Sequence, residues 1–117
     1  MKRILMVVVM ALVVTLGSAC EERSGGGSVH DAIRRHFPAE YEKAVRVATC
    51  ESGLDPRAVS SGGGNHGLFQ INNVHRGRVA SMGYSWSDIY DPYVNARVAR
   101  TIYNESGWSP WPVCGRR

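Results

Sequence analysis

The stretch DPRAVSSGGGNHG, residues 55–67, decides what this chain can fold into. It is too dense in glycine and other turn formers for a helix or a long strand, so regular structure has to be assembled on either side of it. Upstream, Val29, Ile33 and Phe37 are spaced four apart behind Ser28, which predicts a helix over 28–37 with Ser28 as N-cap. Pro38 stops that helix and can open the next, because its missing N–H costs nothing in a first turn. Tyr41, Ala44, Val45 and Ala48 then follow at helical spacing, and Gly53 is placed to end the run. Downstream of the short apolar stretch LFQIN, helix is expected over 74–82 and a single turn over 85–90. Asp91 followed by Pro92 is a strong helix start, and Ala96, Ala99, Ile102 and Tyr103 line one face as far as Gly107. The tail GWSPWPVC is expected to be irregular, and no internal repeat is present.

With 117 residues the chain can hold one small domain. Its first residues add hydrophobicity without adding core. Lys2 and Arg3 precede an apolar run from Ile4 to Leu16, and small residues follow up to Cys20, the three-part layout of a secretory signal. The run falls short of the roughly twenty apolar residues that cross a bilayer. The expected organisation is a signal over 1–19, a glycine-rich tether over 20–28 and a folded domain over 29–117. The expected location is therefore outside the cytoplasm. Gly17, Ser18 and Ala19 suit ordinary signal cleavage and a free secreted form. LGSAC also resembles a bacterial lipobox that would lipidate Cys20, although Leu16 sits one place too early, so secreted and lipid-anchored forms both stay open.

Three cysteines in an exported chain leave one over. With Cys20 as the remainder, Cys50 and Cys114 can pair in an oxidising compartment, the alternative being two buried free thiols. Removing Lys2 and Arg3 with the signal takes the formal net charge from +4 to +2. The arginines are scattered, not striped among aromatics, which argues against a nucleic-acid partner while allowing attraction to an anionic wall polymer. No Lys-Ser or Lys-Thr pair follows the glycines, so they do not make a phosphate loop. The four histidines form no metal-binding spacing; neither metal nor cofactor is expected, and His66 is expected to line a cleft or lie in solvent.

Glu51 falls on the apolar face of the second predicted helix, three residues beyond Ala48. A partly desolvated carboxyl has a raised pKa and can donate a proton near neutral pH, which is what a poor leaving group such as a glycosidic oxygen requires. Position alone favours the blander alternative, since a glutamate near a helix end is more often a solvated surface group.

Its neighbours change the balance. The run CESGLDPRAVSSGGGNHGLFQINNVH, residues 50–75, resembles the lysozyme-like superfamily, and within it the small lytic transglycosylase and goose-type lysozyme branch. ESGLDP is similar to that family's catalytic Glu-Ser block, and Ser60 falls at its following serine. GLFQIN is similar to its Gly-Leu-Met-Gln block with Phe69 replacing methionine, and DPYVN and the pair Tyr103 and Asn104 match its last core helix. The resemblance implies a mainly α, lysozyme-like α+β fold: a small helical domain with a glycine-rich loop or minimal hairpin lining a cleft. It implies that Glu51 is the general acid, with Ser60 and Tyr103 hydrogen-bonding at or near it. Gln70 would bind substrate, and the backbone at Leu68 and Phe69 would accept hydrogen bonds from a sugar's acetamido group. Read without the family, Ser60 is a turn hydroxyl and Tyr103 a core aromatic. Trp86 reads as core, whereas Trp108 and Trp111 suit sugar stacking and packing of the tail equally.

The implied partner is the glycan strand of peptidoglycan, met by a monomer that touches membrane only through its signal or lipid anchor. The implied reaction is cleavage between N-acetylmuramic acid and N-acetylglucosamine. Most glycoside hydrolases need a second carboxylate, for which Asp55, Asp88 and Asp91 are the candidates. Asp55 sits in a turn and Asp91 is better explained as an N-cap. The resemblance to the family's transglycosylase members, which lack an essential second carboxylate, therefore implies non-hydrolytic cleavage to a 1,6-anhydro end, with a hydrolytic muramidase or a non-catalytic peptidoglycan-binding module as alternatives.

Overall fold

A computed structural model describes residues 25–117, with side chains from Val29 onward. The expected signal and Cys20 lie outside the described residues. Four α-helices carry the domain: α1 (Gly25–His36), α2 (Tyr41–Ser52), α3 (Arg76–Ser81) and α4 (Pro92–Ser106). Two short strands, β1 (Asn65–His66) and β2 (Ile71–Asn72), and three 3₁₀ turns complete it. This is the mainly α fold with a minimal hairpin that the sequence implied.

Helix boundaries differ from expectation in two places. α1 starts at Gly25, inside the stretch read as tether and ahead of Ser28. Its docked stripe, Ala32 and Ile33, is wholly buried, and extending an existing helix is far cheaper than nucleating one, even through glycines at about 1 kcal/mol each. Pro38 does stop α1 but does not open α2. The chain first reverses over 37–40, and the ladder of α2 begins when Ala44 N–H donates to the Glu40 carbonyl at 2.8 Å. Gly53 ends α2 in the left-handed region at φ 66°, its N–H returning to the Thr49 carbonyl at 2.8 Å. At the head of α4, the Asp91 carboxylate caps the N–H groups of Tyr93 and Val94.

α4 is the axis. Asn95, Ala96, Val98, Ala99 and Ile102 are its buried face, against which α1 packs along its length. The hairpin pairs Asn65 with Asn72 and His66 with Ile71, and Val59 adds an antiparallel bridge to His66. Its connection, Gly67 to Gln70, carries two left-handed residues, Gly67 at φ 77° and Gln70 at φ 54°. That twist sinks Leu68, Phe69 and Ile71 into the core while Gln70 stays half exposed. A β-carbon on Gly67 would lie 2.8 Å from the Ile89 carbonyl, so only glycine fits there.

The C-terminal segment is drawn in by a disulfide between Cys50 on α2 and Cys114, 64 residues apart, with Cα atoms separated by 5.6 Å. Trp111, 4% exposed, buries its ring against Phe69. Two partly exposed ion pairs, Arg78 with Glu105 and Arg100 with Glu40, add little, because solvent screens them. Closing so long a loop should matter more. Reduction, or replacement of Cys50 and Cys114 together by alanine, is expected to cost about 4 kcal/mol in urea-denaturation stability.

Candidate active site

Glu51 occupies the last turn of α2 between two anchored neighbours. Cys50 is tied to Cys114, and the Ser52 hydroxyl donates to the Leu68 carbonyl at 2.7 Å. The helix end is thereby held to the tail on one side and to the hairpin on the other. The Glu51 side chain is half buried, and that burial pushes its pKa above the ordinary glutamate value. Lying at the negative end of the helix dipole, it is held from ionising in the same sense. Among the described residues, no hydrogen bond reaches its carboxyl.

The other acids near the loops are occupied. Asp55 accepts from the Arg57 N–H at 2.9 Å, Asp88 from the Ser85 N–H at 2.9 Å, and Asp91 from the Tyr93 N–H at 2.8 Å. Each closes a turn or caps a helix.

Each of the remaining residues implied by the resemblance is engaged by partners of its own. The Ser60 hydroxyl accepts from the Asn65 N–H at 3.1 Å and closes the glycine loop. Tyr103 packs on Phe37 and Trp108, with ring centroids 5.7 and 4.7 Å away. Among the described residues, neither hydrogen-bonds to Glu51. Leu68 and Phe69 have fully buried side chains and a backbone already engaged. The Leu68 carbonyl is taken by Ser52, the Phe69 carbonyl accepts from Trp111 Nε1 at 2.9 Å, and the Phe69 N–H donates to Asn95 Oδ1 at 2.8 Å. Gln70 uses its Nε2 on the Ala58 and Gly67 carbonyls, at 3.1 and 3.0 Å. It lines a cavity of ≈ 310 Å³ with Asn65, Asn72, His75, Ile102 and Trp111. Glu51 is not part of that lining.

His66 corrects the sequence expectation. It is 6% exposed, inside the hairpin, with Nδ1 2.8 Å from the Tyr90 hydroxyl and Nε2 2.8 Å from Asn73 Oδ1. Pairing opposite Ile71 turns it inward, and both ring nitrogens are satisfied there. Trp111 is a tail anchor, Trp108 stacks on Phe37 at 5.4 Å, and Trp86 is a half-buried ring between His66 and the Arg76 guanidinium. Among the described residues, no group of three His, Cys, Asp or Glu side chains is placed to hold a metal ion.

Asn95 is the structural residue that sequence reasoning missed. Fully buried on α4, it accepts from the Phe69 N–H and donates to the carbonyls of His66 and Ile89, at 3.0 and 2.9 Å. The available signal was an asparagine inside an otherwise apolar helical stripe.

A mainly helical domain in which a short hairpin is clamped beside a desolvated glutamate is the architecture of the lysozyme-like class. Residues 36–113, well over half the chain, match a family model described as a lysozyme-like domain, and the protein belongs to that family. No curated protein and no solved structure matches it significantly. Membership supports action on peptidoglycan by glycosidase- or transglycosylase-type chemistry, and hence an exported or envelope location.

Because burial favours the uncharged form of Glu51, its contribution to stability is full below the ordinary glutamate range, about pH 4.3, and is lost as pH rises through the raised folded value. Glu51→Gln is therefore expected to melt at a higher temperature than wild type at pH 7, with the gap closing toward pH 4. Asn95→Ala, which strands three buried backbone groups, is expected to cost about 3 kcal/mol in urea denaturation.

Proposed function

We propose that this protein is a lytic transglycosylase that cleaves the β-1,4 bond between N-acetylmuramic acid and N-acetylglucosamine in peptidoglycan without consuming water. The observation that carries this reading is the desolvated carboxyl of Glu51, while Asp55, Asp88 and Asp91 each close a turn or cap a helix. The residue-by-residue resemblance around it supports the same assignment.

In the first step the Glu51 carboxyl gives its proton to the glycosidic oxygen as the C1–O bond breaks, and the N-acetylglucosamine end leaves as an alcohol. In the second, the C6 hydroxyl of the muramoyl residue attacks C1 and passes its proton to the Glu51 carboxylate. The 1,6-anhydro ring forms and the acid is restored, so atoms and protons balance without water. One group serves as acid and then base, which works best when its pKa lies near the working pH, the direction in which burial moves Glu51. Most glycoside hydrolases instead use a second carboxylate to activate water or form a covalent intermediate.

The test is mass spectrometry of muropeptides released from purified peptidoglycan. Anhydro ends, one water lighter than hydrolysed ends, are expected from wild type, and Glu51→Gln should lower release about 10²–10⁴-fold. Reducing ends carrying the added water would make the enzyme a muramidase. Binding without release, unaltered by Glu51→Gln, would make the domain a glycan-binding module.

A further inference from the structure

His75 lies in the 3₁₀ turn Asn73–His75 that joins β2 to α3, and it forms part of the wall of the ≈ 310 Å³ cavity beside Gln70. Its Nδ1 accepts a hydrogen bond from Arg78 Nε at 3.3 Å. Arg78 is itself held by Glu105 of α4 through two bonds, Nη1 to Oε2 at 2.8 Å and Nη2 to Oε1 at 2.7 Å. A forked pair of this kind fixes the plane of the guanidinium, and with it the direction of the remaining Nε–H. An imidazole that accepts at Nδ1 carries its proton at Nε2, so the chain Glu105, Arg78, His75 selects one neutral tautomer. Burial and then the Arg78 charge lower the His75 pKa, with Glu105 opposing, so the ring is uncharged at neutral pH. Among the described residues, nothing accepts from Nε2.

The rest of the lining narrows what the cavity can take. Asn65, Gln70 and Asn72 supply amides, while Ile71, Ile102 and Trp111 supply apolar wall. Asn65 Oδ1 and Asn72 Nδ2 satisfy each other at 2.9 Å, and Gln70 spends its Nε2 on backbone carbonyls, leaving the Gln70 side-chain oxygen as an acceptor. No lining residue carries a formal charge, and the nearby Arg78 is neutralised by Glu105. An uncharged wall with an imidazole donor, an amide acceptor and apolar side chains suits a neutral ligand that has an apolar ring face and an amide. Gln70 also follows Leu68, the partner of Ser52, with only Phe69 between them, so the segment that supplies Gln70 to the cavity is the one that α2 holds at its Glu51 end.

We infer that His75 is a substrate-binding residue whose Nε2–H donates to the acetamido carbonyl of an N-acetylated sugar, and that Arg78 and Glu105 are the positioning residues that aim it. This rests on the glycan-cleaving reading above and names a contact within it.

The experiment uses purified protein, ¹⁵N-labelled at histidine, with an N-acetylglucosamine oligomer as probe and the de-N-acetylated oligomer as control. The free protein should show His75 as the Nε2–H tautomer. The acetylated oligomer should shift that resonance and the control should not. His75→Ala should weaken binding about tenfold, the worth of one hydrogen bond, and His75→Gln, which keeps an N–H donor, should recover part of it. Arg78→Met should mix the tautomers and weaken binding in the presence of His75, yet have no further effect in the His75→Ala background. A resonance unmoved at saturation, unchanged affinity in His75→Ala, or no binding of the oligomer overturns the inference. The readout needs no turnover. Oligomer binding through His75 with no muropeptides released from peptidoglycan would sink the proposed reaction alone, whereas peptidoglycan cleavage with an unaltered KM in His75→Ala would sink this contact alone.

Discussion

One buried amide organises the part of the molecule where chemistry is expected. Asn95 takes the Phe69 N–H and satisfies the carbonyls of His66 and Ile89, so a single side chain on α4 holds both the hairpin connection and the turn before α4. An unpaired buried backbone group costs about 1–3 kcal/mol, and three such groups converge here. Gly67 completes the arrangement, because its bare backbone is what lets the hairpin come this close to Asn95 and Ile89.

With the hairpin fixed to α4, the position of Glu51 follows from short links. Phe69 is held by Asn95 through its N–H and by the Trp111 indole through its carbonyl; Leu68 is held by Ser52. The disulfide at Cys50 secures the opposite side of the same helix turn. Glu51 is therefore set on a rigid element by neighbours on both flanks, while its own carboxyl makes no hydrogen bond among the described residues. That division suits a proton carrier: the backbone is pre-organised, and the acid is tuned by burial instead of being locked into an ion pair.

The neutral character of the His75 cavity has the same origin in pairing. Glu105 balances the Arg78 charge at its rim, and the Arg78 Nε–H is spent on holding the His75 imidazole. His66 shows the contrasting use of the same residue type. Both its ring nitrogens are consumed by Tyr90 and Asn73, which makes it a packing element of the hairpin.

Patterns of local origin were legible in the amino-acid sequence. The spacing of Ala44 and Ala48 before Gly53, the Asp91-Pro92 start of α4 and the parity of Cys50 and Cys114 each act over short range or by simple counting, and each is present in the fold. Glu51 was legible as the acid on an inner helix face for the same reason. What the sequence could not reveal depends on partners distant along the chain. His66 is buried because the hairpin register sets it opposite Ile71, and the upstream extent of α1 depends on docking of its stripe. Asn95 reaches Phe69 across 26 residues, and Glu105 reaches Arg78 across 27. By itself the sequence determined a small helical domain, its loop and its acid, because helix periodicity and turn chemistry are local. Only the tertiary structure decided which polar groups are used up inside and which remain to meet a ligand, because a hydrogen bond belongs to whatever the fold brings within reach.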